Sequence, residues 1–335
     1  MKQKTAALFA ALSVLVVALF VLDLLTGDTS IPVQQVWAAL TGGSCDSLTS
    51  HIVLSVRLVR ACVAVLVGIA LSVSGLQMQT VFANPLADPY LLGVSSGVGL
   101  GVAVFILGLP LLGWGAWPWL QSLGMVGAGW LGAAVILAGV TLLSRRLNNI
   151  LGVLILGVMI GYIAGAVIQI LQYLSSAEQL KLFSLWSMGS LGNVTASRLY
   201  IMLPVTLFGL LLSVMSIKSL NLLLLGEHYA VTAGLNLKRA RTLIFVSTML
   251  LTGTVTAFCG PVGFVGLAVP HLVRLLFADA DHRVLLPGTV LAGMAAMLLC
   301  DVVSKAWTLP VNCIAALLGI PVIIWVIAKN LRLIR

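Results

Sequence analysis

Groups able to do chemistry are few in this sequence, and they gather in a handful of places. Lys218–Arg241, KSLNLLLLGEHYAVTAGLNLKRAR, holds Glu227, His228, Lys238, Arg239 and Arg241 in the longest polar-rich interruption of an oily chain. Between Gly226 and Gly234 it reads as a short helix with a glycine closing each end. Gly260–Arg274, GPVGFVGLAVPHLVR, sets His271 and Arg274 three residues apart on one helical face. His271 reads either as a proton relay or metal ligand, or, more plainly, as a helix-end histidine bonded to a carbonyl, with Arg274 reaching for the interface. In Asn84–Pro89, NPLADP, Asn84 and Asp88 suit turn and cap bonds; an ion at Asp88 is the alternative. Arg57 and Arg60 share a face, either as interfacial anchors or as docking points for acidic groups of an external partner. Lys305 follows Asp301 by four residues, the spacing of an intrahelical pair.

What is missing narrows the function. There is no G-x-x-x-x-G-K-[ST] loop, no Ser/His/Asp set, no carboxylate pair suited to acid–base work and no zinc-type spacing. The sequence suggests no catalytic residue and no bound metal, so ATP, if used, is hydrolysed by another chain. The five cysteines include no C-x-x-C pair; Cys62, Cys259, Cys300 and Cys313 lie in or near apolar stretches and Cys45 in a loop.

These residues must be positioned by a membrane protein. Of 335 residues, 61% are hydrophobic and 8% charged, with a mean hydropathy of +1.16; soluble domains carry about 25% charged residues. The chain has room for about ten spans of about 20 residues plus loops. Its apolar runs are continuous rather than alternating, which selects helices over a barrel. The expected fold is all-α, a single polytopic domain over 1–335. The basic, apolar N-terminus reads as an uncleaved first span, about 5–25. A short amphipathic piece follows near 33–40, then spans near 57–81 and 90–109. A turn carrying Trp114, Trp117 and Trp119 suits an interface. The fourth span ends at Arg145–Arg146 and the fifth covers about 151–174. A short helix is expected near 183–191. Spans six to ten run to about 217, then over about 242–258, from past Pro261 to about 274, 284–303 and 314–328. With the N-terminus inside and ten crossings, 13 Lys and Arg fall on the inner side and 5 on the outer. That bias puts both termini and the polar elbow, about 218–241, in the cytoplasm. Gly157, Gly161 and Gly165 make a stripe on the fifth span that suits either close helix packing or a wide path, with Gln169 and Gln172 facing water in the second case.

Several stretches together resemble one family. RLVRACVAVLVGIALSVSGLQMQTVFANPLADPYLLGVSSGVGLG (Arg57–Gly101), LWSMGSLGN (Leu185–Asn193), LLLGEHYAVTAGLN (Leu223–Asn236), GPVGFVGLAVPHLVRLL (Gly260–Leu276), DHRVLLPG (Asp281–Gly288) and LPVNCIAALLGIPVIIWVI (Leu309–Ile327) are similar to the permeases of type II ABC importers for iron–siderophores, haem and vitamin B12, the FecCD or BtuC-like family. The resemblance implies a homodimer of permeases in the bacterial inner membrane, two cytoplasmic ATPase subunits that use ATP and Mg, and an external substrate-binding protein. Nucleic acid is not among the expected partners. The resemblance assigns Gly226, Glu227, His228, Tyr229, Ala230, Ala233 and Gly234 to ATPase coupling, and Arg57, Arg60 and Lys305 to docking of the binding protein. Gly157, Gly161, Gly165, Gln169, Trp186, Ser187, Met188 and Gly189 would line the translocation path, with the tenth span beside them. Asn148, Asn149, Ile150 and Leu151 would form the cytoplasmic gate. The implied cargo is a metal chelate, ferric siderophore or haem first and cobalamin next. An ion-coupled secondary transporter is the reading from another class, and it would require intramembrane coupling carboxylates. The chain departs from the family at Lys305, where arginine is common, at Asn312, where glycine is common, and in the gate stretch NNIL, which is more apolar than the Ser/Thr version of vitamin B12 permeases.

Overall fold

A computed structural model describes residues 2–27, 29–111, 118–144 and 150–333. Its helices, in order, are α1 Lys2–Leu25, α2 Val33–Thr41, α3 Ser47–Val81, α4 Val94–Leu111, α5 Pro118–Ser144, α6 Ile150–Leu174, α7 Ala177–Ser187, α8 Ala196–Met215, α9 Ile217–Leu223, α10 Glu227–Thr232, α11 Leu237–Cys259, α12 Val265–Phe277, α13 His282–Trp307 and α14 Val311–Leu333. Seven helices among the described residues are long and apolar enough to cross a bilayer; three shorter apolar ones, Gly124–Val140, Val265–Phe277 and Val311–Trp325, complete the expected ten. The all-helical polytopic fold is therefore present. Span two starts at Ser47 rather than near 57, running on through a π-turn over Ile52–Arg57, and two further boundaries moved for identifiable local reasons. The helix expected near 183–191 lies upstream, because Ser176 and Gln179 form a capping box that starts α7 at Ala177. Span seven starts at Leu237 rather than near 242, because the Asn236 side chain accepts from the Arg239 N–H at 3.1 Å. Trp114, Trp117, Arg145 and Arg146 lie outside the described residues.

Contacts gather the chain into two compact units. One takes Met1–Leu76, Ser190–Pro204 and Val262–Arg335. Within it α3 meets α13 and α12 at glycines, backbone against backbone. A Cβ on Gly68 would stand 2.2 Å from the Gly293 carbonyl oxygen, and one on Gly75 only 1.7 Å from that of Gly266. Such approach is how helices associate where lipid removes the hydrophobic drive. The amphipathic α2 folds Val36 and Ala39 onto Val53 in a small separate core.

The same unit holds a buried ion cluster at the end of α1. Lys305 Nζ donates to Asp23 Oδ1 at 2.9 Å and to the Asp23 carbonyl at 3.1 Å. It also pairs with Asp301 Oδ2 at 3.0 Å, as the four-residue spacing suggests. Arg60 closes on Asp301 through Nε at 2.9 Å and Nη2 at 2.8 Å. Arg57, at the end of a π-turn over Ile52–Arg57, donates to the Leu24 and Leu25 carbonyls at 3.0 and 3.1 Å, and to that of Thr29. The last carbonyls of a helix have no partner within it; here Lys305 and Arg57 supply one, with their charge at the negative end of the helix dipole.

The other unit takes Gln77–Gly189 and Val205–Pro261. Its core includes Met78, Phe82, Val98, Leu107, Ile136 and Phe245. α4 and α5 cross at Gly101 and Gly132, where an added Cβ would stand 2.0 Å from the carbonyls of Ala128 and Gly97 respectively. The break before α4 is built as its residues suggest: Asn84 Oδ1 accepts from the Leu86 N–H at 2.9 Å and Asp88 Oδ1 from the Tyr90 N–H at 2.8 Å.

Replacing Asp301 by asparagine leaves two cations facing one remaining carboxylate. Breaking a buried pair costs about 3–5 kcal/mol, so D301N should unfold markedly earlier in a detergent thermal melt, and D301N/R60M, which keeps the Lys305–Asp23 pair, should recover part of the loss. Asp88 gives a pH signature. Burial pushes its carboxyl from 3.8 to about 6, against the opposing Tyr90 N–H bond. A raised carboxyl pKa favours the folded state as protons bind. Stability should therefore rise from pH 7 through 6 and level off below 4, by about 3 kcal/mol at most. In D88N, which keeps the acceptor for Tyr90, that contribution should vanish from the melting profile.

Candidate coupling elbow and path-lining elements

The elbow lies wholly within the second unit. α8 ends at Met215, the chain bends at Ser216 into α9, and α10 follows before α11 leads back. Gly226 enters α10 at φ 94° and Gly234 leaves it at φ 88°, both in the region that favours glycine. The exit is a Schellman closure: Leu235 N–H donates to the Ala230 carbonyl and Gly234 N–H to that of Val231, each at 2.9 Å. Ala230 is buried as the foot of the helix, whereas Tyr229 and Val231 stand out at 56% and 50% exposure. His228, Thr232 and Ala233 are exposed as well. The half-buried Glu227 pairs with Arg241 on α11, so the short helix is braced to the span that follows it. Glu227 also sits in the first turn of α10, where a carboxylate suits the helix dipole. The result is a small rigid knob with a mixed apolar and polar outer face. Arg241 belongs to that brace; of the basic exit, Lys238 and Arg239 remain exposed.

The expected path residues separate into two groups. Gly157 and Gly161 are packing contacts: a Cβ on Gly93 would lie 3.1 Å from the Gly157 carbonyl oxygen, and one on Gly161 3.3 Å from Ser96 Oγ. A Cβ on Gly165 would meet nothing within 4 Å. The outward face of α6 carries Ile155, Met159, Tyr162, Ile163, Gln169, Ile170 and Tyr173, with Tyr173 at 89% exposure. Over Ile150–Leu174 there is no charged side chain. On α7, Trp186 packs inward on Phe183 at a centroid distance of 5.7 Å. Gly189 turns at φ 74° and lies against Gly260, where a Cβ would stand 2.2 Å from the Trp186 carbonyl oxygen. Ser187 Oγ donates to the Ser184 carbonyl at 2.8 Å, and Met188 is exposed. Asn148 and Asn149 lie outside the described residues; Ile150 and Leu151 open α6.

The three cations read as docking points also divide. Arg57 and Lys305 are buried, with their donors on carbonyls and carboxylates of their own unit, so neither presents charge to a partner. Arg60 keeps 23% of its side chain exposed. His271 is buried. Asn312, where the family often has glycine, receives the Gly263 N–H on Oδ1 at 3.0 Å and ties the entry of α12 to α14.

The sequence of the whole chain decides what this scaffold is. Residues 15–329 match the model of the FecCD transport family. The chain belongs to that family. Among curated relatives, the hemin transport system permease protein HmuU of Yersinia pestis is 38% identical over 311 residues, covering 91% of this chain and 90% of its own. The vitamin B12 import system permease protein BtuC of Citrobacter koseri is 36% identical over 328 residues, covering 96% and 94%. A solved structure, an inward-facing conformation of a metal-chelate-type ABC transporter, superposes with a TM-score of 0.83 at 29% identity, covering 97% of this chain and 99% of the other. A FecCD protein is the membrane-spanning permease subunit of an ABC importer, not an enzyme, and it works with ATPase and binding proteins in the inner membrane. Membership removes the ion-coupled secondary transporter as a reading of this chain.

If Glu227 braces the elbow, E227R should place two arginines together and lower uptake per ATP several-fold while the chain inserts normally. The swap E227R/R241E should restore most of it, since charge-assisted bonds depend on pairing rather than on which side carries which sign. Liposome uptake beside phosphate release measures both.

Proposed function

We propose that this chain carries a ferric chelate, haem or a ferric siderophore, into the cytoplasm as one half of a permease homodimer. The observation that carries this is the 38% identity, over nine-tenths of its length, to a permease named for hemin transport. The uncharged, largely apolar outward face of α6 fits the same reading. A large chelate passes such a wall without a strong binding well, and a carrier must release what it moves. Tyr162 and Tyr173 offer aromatic faces along that wall, and Gln169 is its polar contact.

The driving force comes from two separate ATPase subunits that consume ATP and Mg. The 13-to-5 bias of Lys and Arg supports an elbow and termini in the cytoplasm. Tyr229 and Val231 then enter a groove on the ATPase, and the Glu227–Arg241 brace passes its displacement to α11. An external binding protein delivers the chelate, with Arg60 the docking candidate that keeps part of its side chain exposed. Cobalamin is the second reading, on the 36% identity to a vitamin B12 permease.

The test is uptake into liposomes holding the permease with its cognate ATPase and binding protein. Haem or a ferric siderophore should accumulate only with ATP, and cobalamin should not. Accumulation of cobalamin alone would transfer the assignment to the second reading.

A further inference from the structure

The two arms of the elbow are joined inside the protein by a polar clasp. Gln77, on α3 and fully buried, lies between α8 and α11. Its amide nitrogen donates to Ser216 Oγ at 3.4 Å and to Ser247 Oγ at 3.2 Å. Its amide oxygen receives the Thr248 hydroxyl at 3.1 Å, with the Ser247 hydroxyl at 3.3 Å. Ser213 and Ser247 hydroxyls meet at 2.8 Å, and both reach the Gly209 carbonyl, at 3.2 and 2.9 Å. Gly209 permits this approach, since a Cβ there would stand 2.9 Å from Leu251.

The position of the clasp matters more than its bond count. Ser213 and Ser216 are at the last turn of α8 and the bend into α9, where the chain departs for the elbow. Ser247 and Thr248 are on α11, by which it returns. One side chain therefore ties the outgoing arm to the returning arm. The Ser247 hydroxyl has a single proton and several acceptors in reach, so the arms can exchange partners over small displacements without exposing an unpaired group. An apolar seam at this place would let them slide independently.

We propose that Gln77 is a positioning residue for coupling: its amide makes both arms of the elbow move as one body when the elbow is displaced. This rests on the elbow being the ATPase contact. Two readouts test it on the full complex of permease, ATPase and binding protein. In liposomes, Q77L should hydrolyse ATP within about twofold of the parent, yet deliver at least about fivefold less substrate per ATP. T248V, which removes one donor, should fall between them, and it serves if Q77L does not assemble. In parallel, spin labels at K218C and K238C, on the exposed surfaces of the two arms, should give a narrow distance distribution that Q77L or T248V broadens. A proportional loss of hydrolysis and uptake, with the ratio and the distribution unchanged, would reduce the clasp to ordinary packing and overturn the proposal. Absence of ATP-driven uptake by the parent complex would instead sink the importer reading, and the distance measurement would still decide the clasp.

Discussion

A polar group inside a bilayer must find its partner in the chain itself. That constraint organises both units. At the end of α1 it is met by Lys305 and Arg57, which reach from α13 and α3 to the Asp23, Leu24 and Leu25 carbonyls. Four charges, Asp23, Asp301, Lys305 and Arg60, then neutralise one another. Such a cluster is weak evidence for stability, because desolvation offsets much of the attraction. Its stronger effect is on register, since the donors fit only if α1, α3 and α13 stand at one mutual height.

The same constraint explains where the backbone leaves the helix. Several breaks are closed by local partners: Asn84 and Asp88 before α4, Ser176 and Gln179 at α7, Asn236 at α11, and the Schellman bonds after α10. The elbow is thus rigid from its own residues. What it lacks is a cover for Tyr229 and Val231. A rigid knob with an exposed apolar face fits the proposed contact with a separate ATPase subunit.

Much of this could be read from residue order. Long apolar runs marked the spans, NPLADP marked a break, and Gly226 and Gly234 marked both ends of α10, because these signals are local. The capping box at Ser176–Gln179 was equally local and available. Arg57 and Lys305 were a different matter. Their spacing placed them at the ends of helices, but whether a charge there faces outward or inward depends on what stands opposite. Asp23 is 282 residues from Lys305, and no pattern within one helix reports it. The intrahelical half of that cluster, Asp301 with Lys305, followed from spacing; the half that buries it did not. The glycine stripe on α6 shows the same limit. Period alone could not divide it into Gly157 and Gly161, which pack, and Gly165, which meets open space.

Coupling through the elbow requires that it touch a cytoplasmic ATPase. A photo-reactive amino acid at position 229, activated in intact membranes containing the whole importer, tests that most directly. A covalent adduct with the ATPase subunit is expected, and none when the probe stands at the exposed Val17 on α1. An adduct with the external binding protein, or none in a complex that still transports, would contradict it.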